Sequence, residues 1–265
     1  MPTAAVRDID IHYEMGGQGP PLLFISGTGG DLRNKPNVFD GLLPKSFQVL
    51  AYDQRGLGRS GKPDRPYAMA DYADDAAGLM DAVGWKSAKV VGVSFGGMVA
   101  QELVLRHPGK VERLVLACTS PGGAGGASFP FHEIEHLKGE ARAKHLIPIS
   151  DTRRDEAWAR ANPEAYAQLV AMTAADPFAG EPGRAMGARR QLEARAGHDT
   201  WDRLSSTACP VMIAAGLYDG IALPQTQRNM ASRIANARIA FFEGGHLFML
   251  QDRTAVPAMV EFLNS

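Results

Sequence analysis

The chain reads as an α/β protein, with a mostly parallel central sheet, helices on both faces and a helical insertion late in the chain. Three observations predict this. Mostly apolar runs of strand length recur at 22–25, 47–52, 88–92, 111–117, 211–215 and 237–242, the pattern of strands buried on both faces. Helical periodicity lies between several of them. From about 122 to 200 the chain is rich in Ala, Arg and Glu, has prolines at 148, 163, 177 and 182, and offers no convincing strand.

Taken in order, 9–14 alternates apolar and polar residues and stops at Gly16-Gly17, which predicts an edge strand closed by a turn. Pro20-Pro21 introduces the first central strand, 22–25, which runs into the glycine-rich loop Ser26-Gly27-Thr28-Gly29-Gly30. That loop lacks the Lys-Ser/Thr of a nucleotide-binding P-loop and the G-x-G-x-x-G spacing, so phosphate cradling is disfavoured. After the strand at 47–52 comes Asp53-Gln54-Arg55-Gly56-Leu57-Gly58-Arg59-Ser60, unusually dense in charge and glycine for a simple turn. Tyr72, Ala76, Leu79, Met80 and Val83 mark one face of a helix over 69–83, with Gly84 as its stop. A strand, a helix and a further strand follow through residue 117. The sheet resumes at 211–215 and 237–242, and 254–263 closes the chain as a helix.

Bulk properties exclude several classes. With 28 basic and 29 acidic residues and no long run of either sign, nothing suggests a nucleic-acid footprint. Cys118 and Cys209 are too few for a disulfide framework and lack metal-pair spacing; both read as buried strand-end residues. No signal-peptide pattern or bilayer-length apolar run is present, so a cytoplasmic protein without a membrane partner is expected. Self-association into a homo-oligomer is left open.

The chemistry centres on Gly92-Val93-Ser94-Phe95-Gly96-Gly97, placed between a predicted strand and a predicted helix. A serine with glycine two places away on each side, at a strand-to-helix turn, is the elbow that exposes a nucleophilic hydroxyl. Gly92 and Gly96 let neighbouring backbone approach closely. Such a serine needs a base and the base an orienter. His246, in Glu243-Gly244-Gly245-His246, follows a late strand on a glycine-bearing loop able to reach over the sheet edge, whereas His12 lies in the predicted edge strand, His107 ends a helix and the other four histidines fall in the insertion. Asp219, just after the strand at 211–215, is the preferred acid, with Asp252 as an alternative. The resulting chain order, Ser94, Asp219, His246, is the one associated with this elbow, and all three would lie beyond the carboxyl ends of parallel strands.

On these residues the chain resembles the α/β-hydrolase superfamily over essentially its full length, and within it the 3-oxoadipate enol-lactonase and small bacterial carboxylesterase group. The resemblance implies a sheet of about eight strands, with a core of 1–121 and 201–265 and a helical cap of 122–200 walling the substrate pocket. It implies an oxyanion hole made by the Thr28 and Phe95 N–H groups, with Gly27 in the donor loop. Many relatives carry histidine where this chain has Ser26. The segment from Asp53 to Ser60 resembles the family's D-x-R-G-x-G-x-S loop, and Arg55 is expected to brace the active-site floor. The implied activity is hydrolysis of a small-molecule ester, lactone or thioester, with no cofactor and no metal. C–C bond hydrolysis, perhydrolysis and lyase chemistry on the same architecture are alternatives, as is a non-catalytic binding protein.

Three further features lie in the insertion. His132-Glu133-Ile134-Glu135-His136 satisfies the H-E-x-x-H zinc pattern, but no third ligand is fixed nearby, so a helical turn without metal is the preferred reading. Phe129, Phe131, Trp158, Tyr166, Met172 and Phe178 are candidates to line an apolar acyl pocket, although helical spacing alone favours packing. The glycines between 122 and 126 suggest a mobile entrance.

Overall fold

The computed structural model describes residues 2–265. Its strands are β1 (Thr3–Val6), β2 (Ile9–Gly16), β3 (Pro21–Ile25), β4 (Gln48–Tyr52), β5 (Ala88–Val93), β6 (Val111–Ala117), β7 (Val211–Gly216) and β8 (Ala237–Phe242). They form one sheet in the order β1-β2-β4-β3-β5-β6-β7-β8. β1 and β2 pair antiparallel, as do β2 and β4, and every other pairing is parallel.

Successive side chains of a strand point to opposite faces, and here each face is buried. Val90, Leu114, Leu116, Val211 and Ile213 belong to one core, shared with α1 (Met69–Ala82) and α2 (Phe95–Arg106). Val91, Val115, Ala117, Met212 and Ala214 belong to the other, shared with α9 (Ala255–Asn264) and Phe248. That two-sided burial is why the strands read as near-continuous apolar runs.

The insertion between β6 and β7 is a helical cap made of α3 (Gly139–Ser150), α4 (Glu156–Ala161), α5 (Pro163–Ala174) and α6 (Arg184–Ala196). Two small cores hold it. One gathers Ala143, Ile147 and Val170; the other joins Phe131, Ile134 and Leu192 to Ile221 of the loop after β7. α7 (Pro224–Arg233) crosses over between β7 and β8, and the single turn α8 (Phe248–Gln251) precedes α9. No helix among the described residues is long and apolar enough to cross a membrane.

Several local expectations change. β2 is not an edge: β1 pairs with it outside, so His12 is buried. The glycine run after β6 is a packed turn, Gly123–Gly125, with Gly122 bridged to Asp199 and Gly125 lying against Trp201. The side chains named as candidates for an acyl pocket mostly pack, the outcome that helical spacing alone favoured. Phe129 and Phe131 stack edge-to-face, Phe178 lies 3.6 Å under the Arg33 guanidinium, Tyr166 packs against α3, and Met172 faces solvent.

Candidate active site

Ser94 lies at the junction of β5 and α2 with φ +54° and ψ −115°, a left-handed conformation rare for a residue with a Cβ. Such strain costs about 1–3 kcal/mol and persists only where the surroundings impose it. Here they do. The Ser94 N–H donates to the Ala117 carbonyl at 2.8 Å, and Thr119 Oγ1 donates to the Ser94 carbonyl at 2.8 Å. A Cβ on Gly92 would overlap the Gly96 carbonyl oxygen, and one on Gly96 would overlap the Ile25 carbonyl, so α2 can start this close to the sheet only with glycine at both positions.

His246 and Asp219 reach the serine from the carboxyl ends of β8 and β7. His246 Nε2 is 2.9 Å from Ser94 Oγ, and His246 Nδ1 is 2.9 Å from Asp219 Oδ2. The other carboxylate oxygen, Asp219 Oδ1, accepts from the Ile221 and Ala222 N–H groups at 2.8 and 2.9 Å. Asp219 is therefore a buried acceptor with both oxygens engaged, its orientation set by backbone. Asp252 instead accepts from Thr254 and from the Glu243 N–H, which makes it a turn residue.

The loop after β3 lies against the elbow. A Cβ on Gly27 would sit in ordinary contact, 3.5 Å from Ser94 Cβ. Gln54 Nε2 donates to the Ser26 carbonyl at 2.8 Å and anchors the loop's start. Phe95 N–H is at the first position of α2, where no intrahelical acceptor exists. Thr28 and Gly29 face the cap. Arg195 Nη1 donates to Thr28 Oγ1 at 3.0 Å, and the Gly29 N–H donates to Gln191 Oε1 at 2.8 Å.

Arg55 is fully buried, but its ion pairs run to Asp75 of α1 at 2.8 Å and to Asp8 at 2.7 Å. It joins the β1–β2 turn to α1 and supports the site only through its own loop. In that loop Asp53 does the nearer bracing: its carboxylate accepts from the Leu32 and Arg59 N–H groups at 2.8 and 2.9 Å. Burial nonetheless raises its carboxyl above the ordinary range.

Two cap-side groups were not foreseen from sequence. Arg195 is nine-tenths buried, and its two hydrogen bonds go to hydroxyls, Thr28 Oγ1 and Ser128 Oγ at 2.8 Å. Burial lowers its guanidinium below the ordinary value. His198, just past the end of α6, has its Nε2 3.1 Å from the Ser120 carbonyl, and burial lowers it to about 4. The imidazole is thus neutral at pH 7. Neither residue carries a local signal that separates it from a solvent-facing Arg or His.

The sequence His132 to His136 forms a 3-10 turn, Phe131–Ile134, not an α-helix, so the imidazoles do not share a face. His132 lines a small cavity beside Arg195 and His198, and His136 lines a different, larger one. The larger cavity, about 970 Å³, is bounded by Thr28, Gly29 and Asn34 on the core side and by α3, α5 and α6 on the cap side. Its cap wall mixes Lys138, Arg142, Arg184, Arg189, Glu135 and Asp176 with apolar side chains such as Leu146, Met186 and Leu192, beside the loop after β3. Cys118, behind the elbow, is free and fully desolvated, which pushes its thiol well above its ordinary value and leaves it unreactive.

The family model for the alpha/beta hydrolase fold matches residues 20–252. The chain belongs to the α/β-hydrolase family. The chain is 29% identical to a poly(3-hydroxyalkanoate) depolymerase of Ectopseudomonas oleovorans, across 92% of this chain and 84% of that one. It is 30% identical to the putative carbamate hydrolase RutD of Variovorax paradoxus, across 89% of each. Among solved structures it is similar to the enol-lactonase of Burkholderia xenovorans, with a TM-score of 0.81, 25% identity and full coverage of both chains. Together these similarities support a hydrolase of the esterase and lactonase type within the α/β-hydrolase family.

Proposed function

We propose that this protein is a serine hydrolase that cleaves a small-molecule carboxylic ester, lactone or thioester through an acyl-enzyme. The observation that carries the proposal is the unbroken line from Ser94 Oγ through both nitrogens of His246 to Asp219, each link 2.9 Å. This is hydrogen-bond reach for a nucleophile, its base and the base's orienter. Ser94 Oγ attacks the carbonyl carbon as its proton passes to His246 Nε2. Asp219, an acceptor only, holds the imidazole with its proton on Nδ1 and stabilises the imidazolium. The oxyanion accepts from the Thr28 and Phe95 N–H groups, neither of which has an acceptor among the described residues. Collapse expels the leaving group, which takes the proton from His246. Water then gives its proton to His246 and attacks the acyl carbon, releasing the carboxylic acid and restoring Ser94.

The similarity to an enol-lactonase and to a poly(3-hydroxyalkanoate) depolymerase supports an acyl substrate. In this reading residues 122–200 form the cap and the remainder the catalytic core. The test is p-nitrophenyl butyrate hydrolysis together with fluorophosphonate labelling. Ser94→Ala should lose both, with the wild-type label found on Ser94. Hydrolysis that survives Ser94→Ala would overturn the proposal.

A further inference from the structure

One helix of the cap follows the donor loop residue by residue. Arg184 Nη1 meets Asp31 Oδ2 at 3.2 Å, Gln191 Oε1 accepts from the Gly29 N–H at 2.8 Å, and Arg195 Nη1 donates to Thr28 Oγ1 at 3.0 Å. Positions 184, 191 and 195 are seven and four apart, so they share one face of α6, and the loop runs antiparallel to them. Gly187 lies on the same face, where its backbone is pressed against Gly56; a Cβ there would overlap the Gly56 carbonyl. Both central side chains are buried, with Gln191 at 0% and Arg195 at 6% exposure. They are not surface polar groups that happen to touch the loop.

We propose that α6 is a positioning element for the oxyanion hole, with Gln191 and Arg195 holding residues 28 and 29 so that the Thr28 N–H aims at the substrate oxygen. This inference rests on the serine-hydrolase reading above. A short loop rich in glycine, Gly27-Thr28-Gly29-Gly30, has many accessible backbone conformations, and an N–H donor is useful only when its direction is set in advance. Gln191 captures the peptide N–H next to the donor; Arg195 captures the donor residue's own side chain. Arg195 also brings a full positive charge to the side of the loop, complementary to the negative charge that develops on the substrate. Gln191 and Arg195 are positioning residues, since they act through Thr28 and Gly29.

The experiment compares Gln191→Met, Arg195→Met, Thr28→Val and Thr28→Ser in the full chain, with Ser94→Ala alongside. Substrate is p-nitrophenyl butyrate; propylboronic acid, whose boron replaces the carbonyl carbon, reports affinity for a tetrahedral adduct and butyrate affinity for the ground state. Gln191→Met should lower kcat by about 10- to 100-fold with KM within about threefold, the range expected for a misaimed donor. Boronate affinity should fall in step with kcat/KM, and butyrate affinity should hold. Thr28→Ser keeps the acceptor for Arg195 and should retain activity within about threefold, whereas Thr28→Val should lose about tenfold or more. The double variant Thr28→Val/Arg195→Met should be no worse than Arg195→Met, because the bond that Thr28→Val removes is already lost in Arg195→Met.

Wild-type kcat in Gln191→Met and Thr28→Val, with Ser94→Ala inactive, would overturn this inference and leave the hydrolase reading standing. Equal losses of boronate and butyrate affinity would also overturn it, since they report a collapsed cap. Activity in Ser94→Ala would instead overturn the hydrolase reading itself. If Gln191→Met does not fold, the Thr28→Ser and Thr28→Val pair decides.

Discussion

Two cap helices touch the site, and they do so with different parts of the chain. The end of α3 meets the Asp219 and His246 loops largely through backbone: the His246 N–H donates to the Ser150 carbonyl at 2.6 Å, Gly220 N–H to the Ile149 carbonyl at 3.0 Å, and Thr152 N–H to the Tyr218 carbonyl at 3.0 Å, with Gln251 bridging the Gly245 N–H to Asp151 Oδ2 and Arg153 paired with Glu243. α6 meets the donor loop through the side chains of Arg184, Gln191 and Arg195. Backbone contacts are indifferent to side-chain identity and fail only when an added atom blocks the approach. Side-chain contacts fail with a single substitution. The acid–base half of the proposed site therefore depends less on single cap side chains than the oxyanion half does.

The proposed acid, Asp219, sets the upper limit for damage on the α3 side. Asp219→Asn keeps an acceptor for the Ile221 and Ala222 N–H groups but turns an amide toward His246 Nδ1, favouring the wrong tautomer. Steady-state kinetics should show a fall in kcat of about 10⁴-fold with the fold retained. Next comes the backbone approach. A Cβ on Gly245 would overlap the Ser150 carbonyl oxygen and the Asp151 side chain, so Gly245→Ala should push the His246 loop away from α3. A loss of about 100-fold in kcat is expected, since a displacement near 1 Å is enough for that. An unchanged kcat would show that the α3 contact does not position the base.

pH separates the two helices in another way. His198 ties the end of α6 to Ser120, and burial holds it at about 4 against an ordinary 6.5. Glu102 and Asp199 favour its charged form and Arg195 opposes it, but desolvation outweighs them. Between these values the unfolded chain takes the proton first. The histidine's contribution is complete above about pH 6.5 and is lost as pH falls toward 4, by up to about 3 kcal/mol. Denaturant unfolding at pH 7, 5.5 and 4.5 should show that loss, and His198→Gln should flatten the slope in this window. The smallest effect belongs to Ser150→Ala. The carbonyl that receives the His246 N–H remains, so kcat should stay within about twofold, whereas a large loss would mean that the Ser150 side chain holds this contact in place.

How far the sequence could be read follows the range of the forces involved. Strands buried on both faces must be apolar along their whole length, so β3 to β8 were visible as runs. β1 was not, because only Val6 of its four residues is buried and its partner β2 makes it a strand. α7 was missed because just Thr226, Gln227 and Met230 face inward from an otherwise polar helix. Ser94 was legible because the elbow's steric demands are local: glycine at 92 and 96 is dictated by backbone a few residues away. Asp219 and His246 were legible because chain order and strand ends confine where partners of that serine can lie. The long-range pairings were not. Gln191 and Gly29 are separated by 162 positions and Arg195 and Thr28 by 167, and nothing in an Arg-rich helix distinguishes the face that meets a loop from the face that meets water. By itself the sequence determined the buried strands β3 to β8 and the turn that carries Ser94, and it pointed to Asp219 and His246 as candidate partners, since these follow from burial, local geometry and chain order. Which polar side chains of the cap turn inward, and onto which loop, was decided only by tertiary packing, because a hydrogen bond of that kind exists only once both partners are brought out of water together.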